Sequence, residues 1–203
     1  IISATSWDAE RTLVYGFNHD DFDRELKVIS YGSCTVNAYV PLANFLDKKF
    51  GIVDSDMNVI HNIQEYKLDD YDTLIRKFCT VEKMSPALLP FHNEDNFKVN
   101  YTVIPYPGVS MIDFRFRFRD SVERDVIVEV LKQSFSNGEL KGIYDIIEKD
   151  TGPEVHNCTT YSTVLIEENI EVTGENVYFH GYFDNENSVN RFYDLVDYIC
   201  SRS

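Results

Sequence analysis

A chain of 203 residues with 43% hydrophobic and 14% aromatic content carries enough apolar side chain to build one large domain with a proper core. Its formal net charge of −15 argues against nucleic acid and an anionic membrane surface as partners, because the like charges repel. The four cysteines Cys34, Cys79, Cys158 and Cys200 are widely spaced with no C-x-x-C pair, which points to no metal site, no dense disulfide framework and a reducing cytoplasm.

In chain order, 1–4 and 27–30 read as short buried strands flanking a polar, aspartate-rich loop around His19-Asp20-Asp21. Ser33-Cys34-Thr35-Val36-Asn37-Ala38 then leads into the apolar run 39–50, a helix from Cys34 closed by Gly51 in the C′ place. Pro41 lies inside that helix, where proline ordinarily costs about 3 kcal/mol and produces a bend. Residues 52–63 alternate, with Met57, Val59, His61 and Ile63 on one side, as a strand with His61 near its C-terminal end. A polar, irregular stretch 64–72 precedes a helix within 73–89, ended by Pro90.

From there the β-branched and aromatic enrichment of strands marks 99–105, 109–119, 142–147, 161–167 and a hairpin turning at Thr173-Gly174-Glu175-Asn176. Helices at about 121–135 and 186–201 interrupt and close the set. Long antiparallel strands with helices laid against them make an α+β domain. Phe114-Arg115-Phe116-Arg117-Phe118-Arg119 has period 2, phenylalanines on one face and arginines on the other. The phenylalanines belong in the core. The arginines read as a solvated or salt-bridged sheet face, or as a row meeting an anionic substrate or an acidic patch on another subunit.

Cys34 stands where a strand gives way to a helix. Exposed backbone N–H groups and the positive end of the helix dipole stabilise a thiolate there, so a lowered thiol pKa and a nucleophile near neutral pH are expected.

Ser33-Cys34-Thr35-x-Asn37, with 26–30 before it and Pro41-Leu42-Ala43 and Phe50-Gly51-Ile52-Val53 after it, resembles the active-site stretch of the glyceraldehyde-3-phosphate dehydrogenase family. Ile1-Ile2-Ser3-Ala4, Phe17-Asn18-His19, Val59-Ile60-His61, Ile104-Pro105 to Asp113, Leu140-Lys141-Gly142-Ile143 and Phe183-Asp184-Asn185-Glu186 follow in that family's order and near its spacing, so the resemblance runs over almost the whole chain. It implies a mixed, largely antiparallel β-sheet with helices packed on it, in a single catalytic-type domain over 1–203. The N-terminal dinucleotide-binding domain is then not present in this chain: no G-x-G-x-x-G follows a strand, and the sequence opens on Ile1-Ile2 in mid-strand. A fragment of a longer enzyme is expected, a natural stand-alone domain being the alternative.

The resemblance also implies roles. Cys34 matches the nucleophile that forms a thiohemiacetal with an aldehyde and then a thioester, and His61 matches the histidine that pairs with it and takes the hydroxyl proton. Asn185 matches the asparagine that holds the nicotinamide carboxamide of NAD or NADP, a position equally suited to a helix N-cap. Ser33 and Thr35 remain beside the nucleophile as substrate-binding groups. The departures are Gln64 and Val103, where the family has a threonine and an arginine for substrate phosphate; Phe78-Cys79-Thr80 in place of a Ser-Thr-Gly; and Asn187-Ser188-Val189, one residue short.

The expectation is NAD(P)-dependent oxidation of a small or sugar-derived aldehyde other than glyceraldehyde 3-phosphate, by a cytoplasmic homo-oligomer, dimer or tetramer, with the isolated fragment inactive. The alternatives are a catalytically silent dehydrogenase-like domain with an assembly or binding role and, third, a cysteine hydrolase or acyltransferase.

Overall fold

The computed structural model describes residues 1–66, 74–106 and 108–202, and of Asn185 the backbone alone. The elements in chain order are β1 (Arg11–Thr12), β2 (Ile29–Ser30), α1 (Cys34–Phe50), β3 (Ile52–Ile63), α2 (Val81–Leu88), β4 (Phe97–Pro105), β5 (Ser110–Phe118), α3 (Arg124–Asn137), β6 (Tyr144–Ile147), β7 (Thr163–Ile166), β8 (Glu171–Thr173), β9 (Asn176–Phe183) and α4 (Asn185–Cys200).

The amino-terminal strands differ from the sequence expectation. Residues 1–4 contribute only a single bridge, Ile2 to Ser30, and the strand beside β2 is β1. Backbone bonds from Glu10 N to Val28 O and from Leu13 N to Ser30 O, both 2.9 Å, secure that edge. The 27–30 strand shrinks to β2 because the Lys27 amide turns to the Glu10 carboxylate at 2.7 Å. The helix within 73–89 is α2; residue 73 and most of the polar stretch 64–72 lie outside the described residues.

A seven-stranded sheet runs β4-β3-β5-β9-β7-β6, with β8 also on β9. The pairs β3/β5, β5/β9, β7/β9 and β8/β9 are antiparallel; β3/β4 and β6/β7 are parallel. This is the mixed, mostly antiparallel α+β architecture. One face of β5 buries Phe114, Phe116 and Phe118, and Tyr39 of α1 stacks on Phe116 with ring centroids 5.7 Å apart. On the other face Arg115 and Arg117 pair with Asp54 and Asp56 of β3, the Arg115–Asp54 contact at 2.8 Å, so that arginine row is salt-bridged within its own sheet. No helix among the described residues is long and apolar enough to cross a membrane.

α1 keeps its length despite Pro41 because another element replaces the lost backbone bond. Proline has no N–H for the Asn37 carbonyl. The buried Tyr144 hydroxyl of β6 lies 3.0 Å from both Asn37 O and Ala38 O, and accepts from Leu42 N at 3.2 Å. Gly51 then stops the helix at φ +69°, a left-handed conformation that glycine adopts without strain. A Tyr144→Phe substitution leaves these buried groups unmet and is expected to destabilise the domain by about 1–3 kcal/mol. In a Pro41→Ala background, where the restored N–H can serve Asn37 O, the loss should shrink. Urea unfolding of the four proteins checks this, and equal losses in both backgrounds would contradict it.

Candidate functional site

The turn into α1 is built from small polar side chains. Gly32 sits at φ +92°, and a Cβ there would meet Val36 at 2.9 Å, so glycine is required immediately before the cap. Ser33 is extended (φ −138°, ψ 173°) and its Oγ accepts from Val36 N at 3.3 Å, an N-cap bond. The same oxygen lies 3.1 Å from Thr35 Oγ1 and 2.9 Å from Thr80 Oγ1, while the Cys79 thiol donates to Thr35 Oγ1 at 3.5 Å. Asn37 closes the turn from behind, its amide donating to Tyr31 O and Ser33 O. Both neighbours of Cys34 are thus tied to the 79–80 segment ahead of α2.

His61 comes from the C-terminal end of β3 and is buried. Its Nδ1–H donates to Asn62 O at 2.7 Å, which leaves Nε2 as the lone-pair nitrogen. That nitrogen lies 3.4 Å from Cys34 Sγ. Asn62 is itself anchored, its amide reaching Gly108 O and its side-chain oxygen accepting from Ser110 Oγ at 2.8 Å. The Phe183 ring stands edge-on to the imidazole at 5.5 Å and Tyr101 lies tilted at 5.8 Å.

The electrostatics reverse the expectation of a lowered thiol pKa. Burial pushes Cys34 up to about 12, the neighbouring Cys79 adds to it, and the backbone N–H groups of Thr35 and Cys34 pull the other way without prevailing. Burial likewise lowers His61, against the opposing effects of the Asn62 carbonyl and the Glu186 charge. Near neutral pH the pair is therefore a neutral thiol donating to a neutral imidazole. Cys34 still keeps part of its surface open to solvent, so a small molecule can reach the sulfur.

Cys34, His61, Ser33 and Thr35 are brought together. Asn185 opens α4 two positions after Phe183, but the helix cap that its residue type suits is Asp184, whose carboxylate accepts from Asn187 N. Gln64 follows the end of β3, and Val103 is buried and paired in register with His61 across β4. Tyr101, Thr80 and Asp184 went unassigned in the sequence. Tyr101 becomes visible only once β3 and β4 are known to run parallel, whereas Asp184 could have been found as an Asp-x-x cap before an amphipathic run.

The sequence profile of the glyceraldehyde 3-phosphate dehydrogenase C-terminal domain matches residues 33–185. The chain belongs to the glyceraldehyde-3-phosphate dehydrogenase family as a dehydrogenase-type C-terminal domain. It is 30% identical to glyceraldehyde-3-phosphate dehydrogenase 1 of Bacillus cereus, covering 100% of this chain and 65% of that protein. It is 27% identical to the Zymomonas mobilis glyceraldehyde-3-phosphate dehydrogenase, covering 88% and 57%, and 28% identical to the muscle glyceraldehyde-3-phosphate dehydrogenase of Jaculus orientalis, covering 100% and 59%. The chain spans less than two thirds of the length of these relatives.

Asp184 is buried, and its carboxyl is pushed up to about 6, chiefly by burial. A raised carboxyl pKa favours folding below the ordinary value near 3.8 and loses that advantage as pH rises through about 6. Asp184→Asn keeps a cap acceptor and removes the buried charge. It should exceed the wild type in stability by about 1–2 kcal/mol at pH 7.5, a gap that narrows as pH falls below about 6 and closes only below the ordinary value near 3.8, by about pH 3. Urea midpoints at the two pH values measure this; a gap independent of pH would refute it.

Proposed function

We propose that this domain supplies the nucleophile and base for NAD(P)-dependent oxidation of an aldehyde through a covalent cysteine adduct. The observation that carries the reading is the 3.4 Å contact between Cys34 Sγ and His61 Nε2, with the tautomer set by Asn62 O. As sulfur attacks the carbonyl carbon, its proton passes to Nε2 and a C–S bond forms while the carbonyl oxygen gathers charge. Returning the proton to that oxygen gives the thiohemiacetal. A neutral pair suits this step, because the imidazole is free to accept and no thiolate need be held in a desolvated pocket. His61 then takes the hydroxyl proton as the adduct is oxidised to a thioester on Cys34.

The residues present fit the nicotinamide end of a dinucleotide: Asn185, whose side chain can both donate to and accept from a carboxamide, begins α4 two residues beyond the Phe183 ring that touches His61. Asn185 would hold that end, and the remainder would be bound by a domain outside this chain, the 203 residues having no glycine-rich phosphate cradle. NAD or NADP, when bound, supplies the hydride acceptor. Ser33 and Thr35 flank the sulfur with hydroxyls for the substrate. A valine and a glutamine at 103 and 64 cannot give the charge-assisted bonds of a phosphate clamp, which supports a small or sugar-derived aldehyde over glyceraldehyde 3-phosphate. A cytoplasmic homo-oligomer, dimer or tetramer, meeting through the sheet face of Arg115 and Arg117, belongs to the same reading.

The raised Cys34 thiol favours one other reading, a catalytically silent dehydrogenase-like domain with an assembly or binding role. The pH dependence of Cys34 alkylation by iodoacetamide separates the two. Base assistance predicts a rate that is level through neutral pH and falls where His61 becomes protonated, below its ordinary range, and that drops by about 100-fold in His61→Ala. A rate climbing steadily toward pH 12, indifferent to His61→Ala, would establish a lone buried thiol instead.

A further inference from the structure

The wall of the site beyond His61 is made by β4. Its parallel register sets Val103 beside His61 and Tyr101 beside Val59, on the one sheet face that also carries His61. Val103 is buried, whereas Tyr101 is partly exposed and holds its ring 5.8 Å from the imidazole. The Tyr101 carbonyl accepts from Lys77 N at 2.8 Å, and the chain continues from there to Cys79 and Thr80, which bond the two neighbours of Cys34. Three side chains against the imidazole, Cys34, Tyr101 and Phe183, are uncharged. The Arg76 guanidinium is committed to Val99 O and Glu82. Acidic charges act on both members of the pair, Asp184 on the sulfur and Glu186 on the imidazole.

We infer that Tyr101 is a specificity-determining residue of the Cys34–His61 site and selects an uncharged aldehyde, its ring flanking the carbon chain beyond the reacting carbonyl. An aromatic ring offers apolar area with little loss of side-chain freedom, and its face accommodates the C–H surface of a hydrocarbon or hydroxylated chain. An anionic substituent entering the same place meets the field of two carboxylates, Asp184 and Glu186. The inference rests on the proposed nucleophilic role of Cys34 and narrows its substrate class.

Paired reagents of nearly equal size test it. Cys34 is alkylated with iodoacetamide or iodoacetate, and peptide mass spectrometry reads its modification against the exposed Cys158 of the same chain, which corrects for the overall negative charge. The wild type should prefer the neutral reagent by about tenfold over the Cys158 reference, the scale of a single charge in a partly screened site. Tyr101→Arg should erase or invert that preference and Tyr101→Phe should keep it. In the wild type alone, butyraldehyde should protect Cys34 from iodoacetamide at lower concentration than succinic semialdehyde, which adds a carboxylate.

A reactive Cys34 with no preference between reagents, equal protection by the two aldehydes, or a ratio unmoved by Tyr101→Arg overturns the role of Tyr101 and leaves the nucleophile intact. A Cys34 that neither reagent modifies overturns both.

Discussion

One sulfur and one imidazole on separate elements meet at 3.4 Å, and the rest of the domain is arranged so that they do. Cys34 begins α1 and His61 nearly ends β3, with the helix packed along the strand between them. The aromatic layer of Tyr39, Phe114 and Phe116 sets the height of the helix above the sheet. The buried chain Tyr39–Ser55–His92–Ser85 fastens α1, β3 and α2 to one another. Tyr144 lets the helix carry Pro41 without fraying the turns nearest the cysteine. A close-packed core transmits displacement, so movement in any of these contacts changes the separation of the two reacting groups.

The second consequence of that packing is electrostatic. A helix N-terminus favours a thiolate, but only to the extent that the sulfur stays solvated or finds a cation. Here the core buries the sulfur, Cys79 and Asp184 act on it electrostatically in the same direction, and desolvation prevails over the N–H groups of the first turn. The same burial keeps His61 neutral and basic at one nitrogen, with the other engaged by Asn62 O. A neutral pair that exchanges its proton during attack is the chemical state this environment sustains.

Local signals in the chain were decisive wherever the determinants are local. Ser33, the apolar run and Gly51 mark α1 at the residues where it begins and ends, and the alternation through Met57, Val59 and His61 marks β3. The Phe/Arg alternation of β5 divides core from salt-bridged face as its period requires. What escaped depends on residues far apart in sequence. β1 forms because Glu10 and Leu13 reach the edge of β2, and residues 1–4 are left with one bridge. The parallel pairing of β3 with β4, which brings Tyr101 and Val103 to His61, has no signature in either strand alone. The direction of the Cys34 shift follows first from burial in the assembled core, with Cys79 and Asp184 adding to it, none of which a reading of the stretch around 34 contains.

The account stands or falls on whether Cys34 adds to an aldehyde carbonyl when His61 is present, and that step requires no dinucleotide. Carbon-13 NMR of the domain mixed with butyraldehyde labelled at the carbonyl observes it directly. The account predicts a protein-bound resonance moved from the carbonyl region to that of a thiohemiacetal carbon, absent in Cys34→Ser and reduced in His61→Ala. A spectrum holding only free aldehyde and its hydrate, the same for all three proteins, would contradict it.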